Sequence, residues 1–175
     1  MTFTSLQSGA SLMLLTVLLT GCGLTQSVTD GAVSITKAIF CKKIKVLHLD
    51  FEPRAAANAD ESQTPLATMV QVWQLKDRQQ VDAADYQKLL RDANTSLKED
   101  IVASKSLLVM PKGSIILNMP LEQAAKFVAV VGLFNRPDLD NNTWKLVLSR
   151  ADLDPDKPRT IQLNSTGLTL VPLKE

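Results

Sequence analysis

Histidine occurs once and cysteine twice in the 175 residues, and no Cys-x-x-Cys or His-x-x-x-His spacing is present. A zinc or redox centre has almost nothing to be built from, so no metal or other cofactor is expected. Two cysteines also fall far short of a disulfide framework, and stability must come from packing. Charge of one sign is lacking too: 19 Lys and Arg stand against 18 Asp and Glu, a net charge of +1. Such balance leaves no electrostatic footprint for nucleic acid or an anionic membrane surface, so any partner is expected to be a protein. A membrane-length hydrophobic run is missing near the N-terminus: "LMLLTVLL", residues 12–19, is about eight residues where a spanning helix needs about twenty. There is no internal repeat, and a chain of this length supports one domain with a real core but hardly two.

What the N-terminus does contain is a short apolar core followed by small residues and a cysteine, the pattern of a secretory signal peptide. "Leu19-Thr20-Gly21-Cys22" resembles the bacterial lipobox, in which the cysteine becomes the first mature residue and its sulfur takes the lipid. Residues 1–21 then form the signal peptide, although "MTFTSLQSGAS" carries no Lys or Arg in the usual positive region. Residues 22–42 read as a lipidated N-terminus and tether, because small, polar and isolated apolar residues alternate there without a period. About twenty flexible residues have a root-mean-square reach of about 25 Å, enough to stand a domain off a membrane. Gly23 after the cysteine agrees with sorting to the outer membrane. Cys41 is expected to be a small buried apolar residue.

The folded domain is expected over residues 43–175. In "KKIKVLHLDFEP", Leu47, Leu49 and Phe51 alternate with Lys45, His48 and Asp50, which gives a strand with one apolar face ending at Pro53. His48 lies on the polar face, without the Ser, Asp or Cys companions that nucleophilic catalysis needs. Residues 54–65, "RAAANADESQTP", are too poor in bulky side chains to pack a core, so they form a long surface loop and a candidate binding element. "LATMVQVWQL" is apolar on both faces and therefore interior to a sheet. A helical insertion follows at about 82–104, with Asp82 as an N-cap and with Ser96 and Glu99 in capping-box register before a second helix. Strands resume at "SLLVM", "SIILNMP", the central "KFVAVVGLF", "TWKLVLS" and a hairpin in "TIQLNSTGLTLVPL" that turns near Gly167. About eight strands without βαβ alternation give a mainly β fold, a β-sandwich. Acidic pairs at Asp138/Asp140 and Asp152/Asp154/Asp156 lack the glycine and terminal glutamate of a calcium loop and read as solvated loops. Asn94, Asn141 and Asn164 head Asn-x-Ser/Thr sequons, which behind a lipobox are chance matches.

The order of motifs carries a resemblance. "VQVWQLKDRQQVDAADYQKLL", "MPKG" and "FVAVVGLFNRPDLDNNTWK", behind a lipobox and a strand ending "FEP", resemble the TssJ/VasD (SciN) family of type VI secretion lipoproteins. Trp73 stands for the family's tyrosine, Tyr86 for its phenylalanine, Lys112 separates Pro111 from Gly113, and Trp144-Lys145 replaces a Trp-Arg pair. The resemblance implies a transthyretin-like β-sandwich of about eight antiparallel strands with a small helical insertion. It implies a lipid anchor on Cys22 in the outer membrane, a periplasmic location, binding to the periplasmic domain of TssM, and through it an envelope complex with TssL. No catalysis and no cofactor are implied. The loop at residues 54–65 is the implied partner-binding element, with Arg54, Asn58, Asp60, Glu61 and Gln63 as its contact candidates. A periplasmic small-ligand-binding lipoprotein is the alternative, although the sequence supplies no convergent polar set for a pocket.

Overall fold

The computed structural model describes residues 44–173, so Cys22, Cys41 and the tether lie outside the described residues. Within them the strands are β1 (Val46–Pro53), β2 (Thr68–Leu75), β3 (Ile101–Val109), β4 (Ile115–Pro120), β5 (Phe127–Leu133), β6 (Lys145–Ser149), β7 (Arg159–Leu163) and β8 (Leu168–Leu170). Helices α1 (Gln79–Ala83) and α2 (Tyr86–Ser96) interrupt them between β2 and β3. Two four-stranded sheets result, ordered β4-β1-β7-β8 and β3-β2-β5-β6.

The sequence pattern explains which faces meet. Leu47, Leu49 and Phe51 of β1 are fully buried, as period two requires of one covered face. Leu117 of β4 pairs with Leu49, and Ile161 of β7 with Phe51, so both join the same inner face. From the second sheet, Val70 and Val72 of β2 lie in register with Gly132 and Val130 of β5. Alternation along β2 gives way to complete burial from Val72 onward, because its second face is covered there. Trp73 on that face shares a groove with Leu89 and Ala93 of α2. Gln74 is buried with both amide groups engaged: Nε2 donates to Pro120 O at 2.8 Å and Oε1 accepts from Glu122 N at 2.8 Å. A buried amide is tolerated when both its groups are paired, and here it joins β2 to the β4–β5 connection.

Three expectations are corrected. The strands are not all antiparallel: β1 runs parallel to β7, with Leu49 beside Arg159 and Phe51 beside Ile161. A parallel pair needs a long connection, and the whole second sheet supplies it. Asp85, not Asp82, caps the longer helix, its carboxylate accepting Lys88 N at 2.7 Å. Ser96 ends α2 instead of opening a further helix, and β3 begins at Ile101 because Ile101 pairs with Leu75. The insertion therefore closes at Asp100, and the strand signalled by "SLLVM" starts several residues earlier than its own pattern shows.

Candidate functional site

Strand direction sorts the connections into two ends. Because β1 runs from Val46 to Pro53, its neighbours gather the connections 54–67, 110–114, 134–144 and 164–167 at one end. Ile44, where the described chain begins, enters at the other, so the eight residues of β1 separate chain entry from loop end by roughly 25 Å.

The 54–67 loop has few bulky side chains, yet it is held from three directions. Arg54 N donates to Leu163 O at 2.9 Å and Asn58 N to Asn164 O at 3.0 Å, which fastens it to the β7–β8 turn. Asn58 sits at φ 50°, a left-handed conformation that asparagine tolerates better than most residues, and is 4% exposed. Its Nδ2 donates to Ala67 O at 3.0 Å and its Oδ1 accepts Asn135 N at 2.6 Å. One buried amide thus ties the start of the loop to its end and to the β5–β6 connection. Arg136 adds a second tie, donating to Ala59 O at 3.2 Å and Asp60 O at 2.9 Å. Beyond these clasps the chain closes on itself: Asp60 N donates to Thr64 O at 3.0 Å, and the Asp60 carboxylate accepts Thr64 N at 2.8 Å. Glu61, Ser62 and Gln63 form the exposed tip, with Gln63 at φ 61°.

The neighbouring connection is ordered by its own acid. Asp138 accepts from Asn141 N at 3.0 Å, Asn141 Nδ2 at 3.0 Å and Thr143 Oγ1 at 3.3 Å. The Asn141 donors, first its backbone amide and then its side chain, hold the Asp138 carboxyl below the usual carboxylate range. Asp152 does a similar task elsewhere, accepting Ser149 N and Oγ at 2.7 Å each across the short helical turn Arg150–Asp152. Asp154 accepts the amides of Asp156 and Lys157 at 2.8 Å. These acids order their own loops, and among the described residues no group of three or more His, Cys, Asp or Glu could hold a metal ion.

The helices are locked to the loop end by one lysine and one tyrosine. Lys145 Nζ donates to Val81 O, Asp82 O and Ala84 O at 2.8–2.9 Å and lies 5.0 Å from the Trp144 ring centroid. Burial lowers its pKa against the opposing pull of Asp82 and Asp85. Tyr86 Oη donates to Phe134 O at 2.7 Å, and its ring meets Trp144 edge-on with centroids 5.2 Å apart. Burial raises the Tyr86 pKa. Helix α2 is thereby held alongside the loops, and an open groove of about 570 Å³ lies between them, lined by Asn58, Tyr86, Leu90, Pro137 and Leu139 among others.

Of the five loop residues singled out from the sequence, Arg54, Glu61 and Gln63 are exposed and Asp60 is half-buried. Asn58 is placed differently, as an internal support whose amide is already engaged. Asn135, Arg136 and Asn164 escape sequence reading. Their bonds to the loop cross most of the domain, and no local pattern announces a polar contact over such a separation.

A two-sheet sandwich with helices over one face and clasped loops at the end away from chain entry defines a small β-sandwich scaffold. Residues 45–166 match the family described as "Type VI secretion lipoprotein, VasD, EvfM, TssJ", and the chain belongs to that family. It is therefore a lipoprotein component of a type VI secretion system. A chain of the solved structure named "T6SS protein TssM C-terminal domain (869-1107) from EAEC" is 43% identical, with a TM-score of 0.68 over 74% of this chain and 100% of that one. A chain of "Type VI membrane complex" is 45% identical, with a TM-score of 0.71 over 74% and 100%. The lipoprotein TssJ1 from Pseudomonas aeruginosa shares the fold at 18% identity, with a TM-score of 0.64 over 76% and 99%. No curated protein matches the chain.

Proposed function

We propose that this lipoprotein is held by lipid on Cys22 in the outer membrane, faces the periplasm, and docks the periplasmic domain of a TssM-type protein through the 54–65 loop. Through that partner it joins an envelope complex with TssL, and it performs no catalysis. The observation that carries this reading is the polarity of the domain: its most heavily clasped loop projects from the end opposite chain entry, roughly 25 Å away. A domain hung from a membrane at Ile44 presents that loop outward. The similarity to chains solved in structures named for TssM and for the membrane complex supports the choice of partner.

The anchor follows from lipid chemistry. Each buried methylene contributes about 0.8 kcal/mol, and one acyl chain binds marginally whereas several hold stably, so a multiply acylated Cys22 fixes the protein in one membrane. Cys22→Ser is expected to leave the domain folded and able to bind its partner, while releasing it from the outer membrane and abolishing secretion. Shortening the exposed tip of the loop is expected to lower affinity for the TssM periplasmic domain in calorimetry without moving the melting temperature. A Cys22→Ser protein still sedimenting with outer membranes would remove the anchor, and an unchanged affinity would place the interface elsewhere.

A further inference from the structure

We propose that the docking surface continues from the 54–65 loop into the groove between α2 and the 134–144 connection, and that this groove receives a bulky apolar side chain of the same partner. The proposal rests on the docking reading above. Three observations carry it. First, the loop is too small to hold a partner alone: only seven of residues 54–65, Arg54, Ala55, Ala56 and those from Glu61 to Thr64, are exposed, with Leu66 just beyond them. A stable interface takes about 20–30 residues a side, and its strength concentrates in buried aromatic, aliphatic or arginine anchors. The tip, Glu61-Ser62-Gln63, presents no apolar anchor, so the partner's footprint must spread to adjoining surface.

Second, the adjoining surface is apolar. Leu139 is 56% exposed and Leu90 46% exposed, and together with Pro137 and Leu133 they line the groove of about 570 Å³. Two of its four polar side chains are already engaged: Tyr86 Oη is bonded to Phe134 O, and both groups of the Asn58 amide are paired, while Gln87 and Asn135 complete the lining. An aliphatic or aromatic side chain lying against Leu90, Leu133, Pro137 and Leu139 would leave the Tyr86 and Asn58 groups paired as they are. Third, loop and groove form one body. Asn58 lines the groove while fixing the loop, and Arg136 ties the two connections through Ala59 O and Asp60 O. A protein seated on the tip therefore meets a pre-organised apolar recess beside it, which lowers the ordering cost of association.

The test uses the detergent-solubilised full-length protein and the purified TssM periplasmic domain, with affinity read by calorimetry and folding by thermal melting. Leu139→Asp and Leu90→Asp change exposed side chains and are each expected to weaken binding at least tenfold with an unchanged melt. Ile116→Asp, 62% exposed on the outer face of the first sheet, is expected to bind within twofold of the unmodified chain. Should an aspartate disturb the fold, Leu139→Ser and Leu90→Ser give the same reading at smaller perturbation. Unchanged affinity in the groove variants, together with loss on shortening the loop, would overturn the groove and leave the loop. Loss in the groove variants with an unaffected shortened loop would support the groove and overturn the loop. An unmodified protein that does not bind this domain would overturn both.

Discussion

Asp50 shows how far one side chain can depart from what its strand position announces. It lies on the polar face of β1, between Ile116 and Thr160 in register, yet its Oδ1 is buried without a hydrogen bond. Desolvation raises its pKa, and the neighbouring Glu52 carboxylate adds to the rise. A carboxyl whose folded pKa is raised prefers to be protonated in the fold, so its charge weakens the protein at every pH above that value. The penalty disappears below the unfolded pKa, about 3.9. Asp50→Asn is therefore expected to melt higher than the unmodified protein at pH 7, and the gap should close as the pH falls towards 4. Parallel melting curves across that range check it, and a gap that widens in acid would show that the carboxylate is stabilising.

At the scale of elements, the helical lobe depends on Lys145 more than on its own helices. Helix α1 has five residues, its N-cap Arg78 makes no capping bond and Asp77 alone accepts its first amide, Gln79 N at 2.7 Å, too little to persist in water unaided. The Lys145 ammonium binds three carbonyls around its C-terminal end, where positive charge also meets the negative end of the helix dipole. Lys145→Met keeps the apolar stem of the side chain but leaves those carbonyls without this donor. With hydrogen bonds to charged groups contributing about 1.5–3 kcal/mol, a loss of about 2 kcal/mol in urea unfolding is expected. Amide exchange should rise first in residues 79–85, which separates loosening of the lobe from a uniform loss of stability.

The same scale shows what the sequence made legible. Leu47, Leu49 and Phe51 declared the inner face of β1, and the unbroken run of β5 declared a central strand, because covered faces write their period directly into the residues. The hairpin at Gly167 was equally local, closed by Asn164 N on Gly167 O at 2.8 Å. The start of β3 was hidden: Ser96 and Glu99 satisfy a helix-start pattern, but pairing of Ile101 with Leu75 prevails over it. The loop was legible as a loop, and the family resemblance singled it out as the candidate docking element. Its clasp was not, since a buried asparagine and an exposed one look alike in sequence, and Asn58 reveals its role only beside Ala67 and Asn135.

For the whole molecule, the pairing of β1 with β7 sets the order in which the fold can be completed. Strand β1 is the first to leave the ribosome and, for a secreted chain, the first to cross the inner membrane, yet its neighbour β7 follows almost at the end. Its inner face cannot close until that distant segment arrives, and contacts between remote parts of a chain make folding slow. Removing residues 159–175 is accordingly expected to yield a chain without a cooperative melt, whereas residues 44–175 should melt in a single transition. Until its last strands emerge, the domain stays open. For a chain that must pass a narrow translocation channel, a late-closing sheet is one that stays threadable until its last strands arrive.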